Sequence, residues 1–304
     1  MTGARQPRVS VVIPTYRHRD FVLPTLQSVF NQTMQDYEII VVNDGSPDDT
    51  GTVLAPFVES GRIRYFEQLN QGQSHARNAG IDQARGEYIA LLDDDDLWPP
   101  DKLEWQLEFL ERHADVGMVA GTLQRIDERG DFGRRDPWTA SITFESLFRE
   151  NPFLSPGQTL IRARLLKELG GMNAAIWGAD DWDLWFRVAK VARIMMLDRL
   201  ALYYRIHKDN ASKQTARLLA ASCATLETHL RNVEKSKRRQ FRFGFHRTAY
   251  LGLGGSLTRA ARDCARHGDV LGAVKALKGL LPLWRGLLFD PEVRINFIRD
   301  VRWG

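Results

Sequence analysis

The chain has 304 residues, 26% of them charged and 43% hydrophobic, which is the balance of a globular protein rather than of a disordered or membrane-embedded one. Its net charge of +4 conceals an asymmetry: residues 1–212 hold 24 Lys and Arg against 31 Asp and Glu, whereas residues 213–304 hold 18 against 7. The two distant cysteines, Cys223 and Cys264, exclude a disulfide framework and a cysteine metal site, and neither a charged-then-apolar leader nor a stretch of about 18 apolar residues is present.

Short apolar, β-rich runs at residues 9–13, 38–42, 63–66, 88–92 and 117–122 predict strands, and amphipathic stretches at 21–30, 50–59, 74–84 and 102–112 predict helices between them. This alternation implies an α/β fold, a mostly parallel sheet flanked by helices, in which ligands bind beyond the carboxyl ends of the strands. Residues 126–155 are charged and Gly-bearing and read as loops with a short helix at 144–149. A strand at 158–161, a helix at 164–169 ended by Gly170 and Gly171, a helix at 182–191 and a last strand at 202–206 follow. From Lys213 onward the tail is helical in character, broken near Gly252 and at Pro282.

Four consecutive aspartates, Asp93, Asp94, Asp95 and Asp96, follow the fourth strand. Four like charges at the end of a buried strand are costly unless something neutralises them. Carboxylates are hard oxygen ligands suited to Mg²⁺, Mn²⁺ or Ca²⁺, and Asp93 with Asp95 could hold one cation over the crevice. A solvated acidic turn capping the helix near Asp101 is the plainer reading, while Trp98 at the sixth position rules out a calcium-binding EF-hand loop. Tyr16 offers a ring for base stacking, Asp44 can accept from a base N–H, and Arg77, early in the third helix, suits a carbonyl or a phosphate. Tyr16 read blandly is a turn aromatic, Asp44 belongs to a tight turn, and Arg77 could equally be an ion-pair partner. Asp180 and Asp181 stand before the 182–191 helix, where a cap is the default and a general base the sharper reading. His207, after the last strand, is a third ligand, a phosphate contact or an exposed loop histidine.

Taken together, the stretches Val11-Val12-Ile13-Pro14-Thr15-Tyr16, Ile40-Val41-Val42-Asn43-Asp44-Gly45-Ser46, residues 70–80, residues 86–98 and residues 180–187 resemble the inverting glycosyltransferases of family 2, which have the GT-A fold. The resemblance covers about residues 9–212. It implies a nucleotide-sugar donor, a UDP-sugar by default, bound through Pro14, Thr15, Tyr16, Asp44, Arg77 and Asp94. It implies Mg²⁺ or Mn²⁺ at Asp95, with Asp93 as a second-shell or water-mediated partner and His207 nearby. Asp181 matches the family's general base, with Asp180 where Glu is usual. The acceptor would be a carbohydrate or a lipid-linked molecule. Gln214, Arg217 and Leu218 match the processive synthases' Gln-x-x-Arg-Trp signature only in part, which favours single additions.

A nucleotidyltransferase making nucleotide sugars would need a Gly-rich loop where Pro14-Thr15-Tyr16-Arg17-His18 stands; a glycosidase would need no nucleotide platform, and a non-catalytic acidic metal module would need no Asp181. The expected division is a catalytic domain over 1–212 and a helical region over 213–304. In the latter, Leu271, Val274, Leu277, Leu281, Trp284 and Leu288 recur at helical spacing beside Lys275, Lys278 and Arg285. That stripe means packing or a homodimer contact in the usual case. With the basic run Lys235-Ser236-Lys237-Arg238-Arg239 it also suits an anionic membrane surface, hence a cytoplasmic protein lying peripherally on the inner face of the membrane. Nucleic acid is not expected, since no binding motif accompanies the charge.

Overall fold

The computed structural model describes residues 6–130, 132–135, 140–208, 210, 213–249 and 253–283. Contacts divide the chain into two compact units. The first is drawn from the chain up to Thr143 with Phe153–Ala174 and Asp183–His207, and the second from Phe144–Pro152, Ala175–Trp182 and the chain after His207. The expected boundary at Ser212 lies outside the described residues.

The first unit is built on β1 (Val9–Thr15), α1 (Arg19–Phe30), β2 (Tyr37–Asn43), α2 (Thr50–Glu59), β3 (Arg64–Glu67), α3 (Gln73–Gln83), β4 (Tyr88–Leu91) and α4 (Lys102–Arg112), in which strands and helices alternate. The strands β3, β2, β1 and β4 lie side by side and parallel. Every residue of β1 and β4 is buried, which is why these segments are apolar without alternation: each face of the strand carries a helix rather than water. Pro14 falls in β1 after β4 has stopped pairing at Val12, where a missing N–H costs the ladder least. Because β1 lies between β2 and β4, the chain leaves it in opposite directions. The carboxyl ends of β1 and β4 are therefore the switch point of the sheet, the place where folds of this kind bind their ligands. Close packing of α3 on β1 demands Gly80, where a Cβ would approach Val12 Cγ1 to 2.3 Å.

The other half of the sheet is more mixed. The strand β8 (Thr159–Arg162) runs antiparallel between β4 and β5 (Val116–Ile126), and β9 (Arg193–Arg205) runs parallel to β5. The segment read as loops contributes two short strands, β6 (Phe132–Arg135) on β5 and β7 (Ala140–Ile142) on β9, and its short helix is a single 3-10 turn at Ser146–Phe148. What was read as a strand at 202–206 is the end of the 13-residue β9. Helix α5 (Ala163–Glu168) ends at Gly170 and Gly171, both at positive φ, and α6 (Asp180–Ala189) starts two residues earlier than expected, taking Asp180 and Asp181 into its first turn.

Helix α4 holds the loop that follows the aspartates. Lys102 is wholly buried, donates to the Thr159 carbonyl at 3.1 Å and lies 3.9 Å from the Trp98 ring centroid; burial drives its pKa well down. The Trp98 indole donates to the Gly157 carbonyl at 2.9 Å.

The second unit contains α7 (Thr215–Leu230), α8 (Lys235–Ala249), α9 (Gly255–Arg266) and α10 (Val270–Lys278). Arg242 of α8 clasps Glu227 of α7 with two bonds of 2.7 and 2.9 Å, and Phe241 stacks on Phe148 at 4.8 Å. Of the break expected over Gly252-Leu253-Gly254-Gly255, Gly252 lies outside the described residues and α9 starts at Gly255; α10 ends at Lys278, four residues before the break expected at Pro282. His246 on α8 is 3% exposed, and neither ring nitrogen has a hydrogen-bond partner among the described residues. Burial lowers its pKa from an ordinary 6.5 to about 4. The unfolded chain then binds more protons than the native one between those values, so stability rises with pH across the window and is lost as pH falls through it. Thermal melts of His246→Phe at pH 5 and pH 7 are expected to differ less than those of the natural chain; equal pH dependence in both proteins contradicts this.

Candidate active site

At the switch point each of the four aspartates has its own partners. Asp93 accepts from the Arg77 guanidinium at 2.5 Å and from Ser155 Oγ at 3.3 Å. Arg77 is 1% exposed while Asp93 is half-buried, so a desolvated guanidinium depends on this charge-assisted contact. Asp94 accepts from the Tyr16 backbone N–H at 3.2 Å and lies 2.7 Å from His18 Nδ1. Burial raises its pKa, against the opposing pull of His18. Asp95 Oδ2 lies 2.8 Å from His207 Nε2. Asp96 accepts from the Arg205 N–H at 2.9 Å; burial, reinforced by the charges of Asp95 and Asp93, raises its pKa well above the usual carboxylate range.

The backbone of this loop is fixed from below. Thr25 Oγ1 lies 2.9 and 2.8 Å from the carbonyls of Asp94 and Asp96, sharing one proton between them. The Arg205 guanidinium donates to the carbonyls of Asp95 at 2.9 Å and Glu128 at 3.0 Å. These donors hold the aspartate carbonyls while the side chains are directed by their own partners.

Asp44 is 3% exposed and sits at the end of β2. Its carboxylate accepts from Gln68 Nε2 at 2.8 Å, from the Gln71 N–H at 2.9 Å and from the Gly72 N–H at 2.8 Å. A carboxylate has about four acceptor positions, so one remains for a further donor. The contact ties the β2 loop to the turn that starts α3. Gly45, at φ 69°, is part of the same closure, since a Cβ there would lie 2.9 Å from the Asn70 nitrogen. Arg17 N–H donates to Ser46 Oγ at 3.1 Å, joining the β1 and β2 loops, and its guanidinium lies 5.0 Å from the half-buried Tyr16 ring centroid.

The structure thus gathers Thr15 at the end of β1, Arg77 on α3, and Tyr16, Asp44, Asp93, Asp94, Asp95 and His207 on loops at one end of the sheet, with Pro14 buried in β1. It pairs Asp93 with Arg77 and Asp95 with His207. Residues that sequence reasoning passed over are Thr25, Ser155, Arg205 and His18. One donor atom each from His18, Asp95 and His207 lie within 4.8 Å of one another. Two imidazoles and a carboxylate at such separations are a donor set that fits a divalent transition-metal cation. Only the position of His18, in the loop leaving β1 at the switch point, signalled it in the sequence.

Asp180 and Asp181 belong to the second unit. Both are buried in the first turn of α6, and Asp181 Oδ1 accepts from the Trp182 backbone N–H at 2.6 Å. Nearby in that unit, the Arg217 guanidinium lies 3.8 Å from the Trp177 ring centroid, and Trp182 packs on Phe245 at 5.6 Å.

Comparison with known proteins places this geometry in a family. Residues 10–170 match the model of glycosyl transferase family 2. An uncharacterized glycosyltransferase of Rickettsia felis is 32% identical over 215 residues, 68% of this chain and 36% of that protein. Chondroitin synthase of Escherichia coli is 28% identical over 69% of this chain and 31% of its own length. The chain thus spans about a third of the length of these relatives. Among solved structures, S. aureus TarS 1-349 in complex with UDP-GlcNAc has a TM-score of 0.60 at 17% identity, covering 88% of this chain and 90% of that one. The mannosyltransferase PcManGT from Pyrobaculum calidifontis, in complex with GDP-Man and Mn²⁺, also scores 0.60 at 17% identity, over 93% of this chain and 88% of its own. The fold is the GT-A fold of these glycosyltransferases. The chain belongs to glycosyl transferase family 2.

Proposed function

We propose that this chain is an inverting, metal-dependent glycosyltransferase that moves one sugar at a time from a nucleoside-diphosphate sugar, a UDP-sugar in the first instance, to an acceptor hydroxyl in polysaccharide or glycolipid assembly. The observation that carries this reading is the convergence of Tyr16, Asp44, Arg77 and Asp95 with His207 at the carboxyl ends of β1, β2 and β4. The synthase names of relatives and the UDP-GlcNAc and GDP-Man of structural neighbours support it. Residues 1–212 are the catalytic part and residues 213–304 a helical appendage.

In this reading Asp44 uses its remaining acceptor position for a base N–H, and the Tyr16 ring packs on the base. Asp95 and His207 hold the cation; when bound, Mg²⁺ or Mn²⁺ supplies positive charge beside the diphosphate leaving group. Arg77 keeps Asp93 in place next to that site. Asp181 takes the proton of the acceptor hydroxyl as its oxygen bonds to the anomeric carbon. The carbon–oxygen bond to the diphosphate breaks on the opposite face, its electron pair leaves with the nucleoside diphosphate, and the configuration inverts. Asp180, beside Asp181 in the same helical turn, is the residue that could exchange roles with it.

The test is thermal stabilisation by a panel of nucleotide sugars with and without Mn²⁺, because a ligand of the native state raises its apparent stability. One donor is expected to stabilise more in the presence of metal. Stabilisation by nucleoside triphosphates and by no nucleotide sugar would favour a nucleotidyltransferase instead.

Peripheral attachment to an anionic membrane extends the proposal. No helix among the described residues is long and apolar enough to cross a bilayer. Val270, Leu271, Val274, Leu277 and Leu281, on and just after α10, are exposed, with Lys275 and Lys278 on the same helix. Trp284, Arg285 and Leu288 of the same pattern lie outside the described residues. Co-sedimentation with vesicles containing phosphatidylserine, and not with neutral vesicles, is the expected result; equal sedimentation with both removes the charge-driven attachment.

A further inference from the structure

His18 stands at the amino end of α1, immediately after Arg17, which has a positive φ of 64° and is the one non-glycine residue with positive φ among those described. That turn brings the imidazole to Asp94, 76 residues away in sequence, with Nδ1 2.7 Å from Asp94 Oδ1. The His18 ring meets the His207 ring edge-on, centroids 5.4 Å apart and planes at 87°, and Phe21 packs against both. On the far side, His207 contacts Asp95 at 2.8 Å. In a six-coordinate site with bonds of about 2.1 Å, adjacent donor atoms are about 3 Å apart and opposite ones about 4.2 Å. The contact between Asp95 and His207, at 2.8 Å, is already near the shorter separation, and all three donors lie within 4.8 Å of one another, a little beyond the longer one.

We propose that His18 is a third protein ligand of the cation, making the site two imidazoles and one carboxylate and giving it a preference for Mn²⁺ and later transition metals over Mg²⁺. The proposal rests on the glycosyltransferase reading only for what fills the remaining positions, the donor diphosphate. Imidazole is a borderline donor that binds transition metals more readily than Mg²⁺, which favours an all-oxygen shell and keeps its waters. Asp94 is the complement of such a ligand. A carboxylate that accepts from one ring N–H fixes the tautomer and leaves the other nitrogen as the donor to metal. The neighbouring Tyr16 N–H, donating to the other oxygen of Asp94, orients that carboxylate. A plain ion pair between His18 and Asp94 would explain the single contact, but not the gathering of His18 with Asp95 and His207.

The experiment uses the full chain and Mn²⁺ alone, followed by pulsed electron paramagnetic resonance and by competition with Mg²⁺. Two coordinated imidazole nitrogens are expected in the natural protein and one in His18→Gln, with Mn²⁺ affinity falling by about 10- to 100-fold and Mg²⁺ affinity much less. Asp94→Asn is expected to weaken Mn²⁺ binding while keeping both nitrogens. Melting temperatures in EDTA report that each variant folds. One nitrogen in the natural protein, no detectable Mn²⁺, or an unchanged ratio of Mn²⁺ to Mg²⁺ affinity in His18→Gln would overturn the proposal. Transfer assays separate the two readings: sugar transfer with a single imidazole sinks only the role of His18, whereas a two-imidazole site without transfer sinks only the glycosyltransferase.

Discussion

Asp181→Asn is expected to reduce sugar transfer by about 10²- to 10⁴-fold, the usual contribution of a positioned general base, while donor binding stays within about twofold of the natural protein. The split follows from the chemistry assigned to it. An amide cannot take the acceptor proton, yet it occupies the same volume and its oxygen still accepts from the Trp182 N–H that Asp181 engages at 2.6 Å. Turnover at a fixed donor concentration, beside calorimetric donor binding, reads the two effects separately. Asp180→Asn is the control that assigns the role, since the two carboxylates are adjacent and both are buried. A larger loss of turnover in Asp180→Asn would move the base by one residue, and near-normal turnover in both variants would remove the base from this helix altogether.

The second large effect is expected at Asp95. Asp95→Ala should weaken binding of a nucleoside diphosphate by at least about 10-fold when Mn²⁺ is present and leave metal-free binding nearly unchanged, because the carboxylate acts through the cation rather than on the nucleotide itself. The same substitution removes the partner that His207 contacts at 2.8 Å, so the variant loses the carboxylate and the orientation of an imidazole together. Titrations in Mn²⁺ and in EDTA give the comparison. Equal losses in the two conditions would mean that Asp95 contacts the ligand directly or only supports the loop.

The parallel core was readable because its strands are covered on both faces, so β1 and β4 are continuous apolar runs with turn residues at their ends. The antiparallel insertion of β8 between β4 and β5 was not readable, since strand order depends on contacts distant in sequence. Asp198 and Arg199 break the apolar pattern inside the continuous β9, so only its end reads as a strand in the sequence. β6 and β7 were hidden in a charged stretch whose pairing is set by the strands beside them. At α6 an aspartate reads equally well as a cap or as a first-turn residue, which moved the expected start by two positions.

At the site, residue type and position along the chain singled out the aspartates, Arg77 and His207, and the resemblance implied their roles, whereas the partners of each carboxylate came from the fold. For Arg77 the sequence supports both a ligand contact and an ion pair, and the structure shows the ion pair, 2.5 Å from Asp93. For His18 the only signal was its place after β1, since a single histidine in a loop is ordinarily exposed; its neighbours Asp94 and His207 are brought to it by the sheet. Arg205 ends β9, so its grip on the carbonyl of Asp95 depends on the pairing of β5 with β9 and on the isolated bridge between Leu97 and Tyr203.

The most direct measurement incubates the full chain with Mn²⁺ and an isotopically labelled nucleotide sugar and follows free nucleoside diphosphate and the labelled anomeric carbon by NMR, with and without a panel of carbohydrate and lipid-linked acceptors. The expected result is release of the diphosphate in step with a new glycosidic bond, only when an acceptor is present, and with the anomeric configuration inverted. Retained configuration, or consumption of a nucleoside triphosphate with no transfer from any nucleotide sugar, would contradict it.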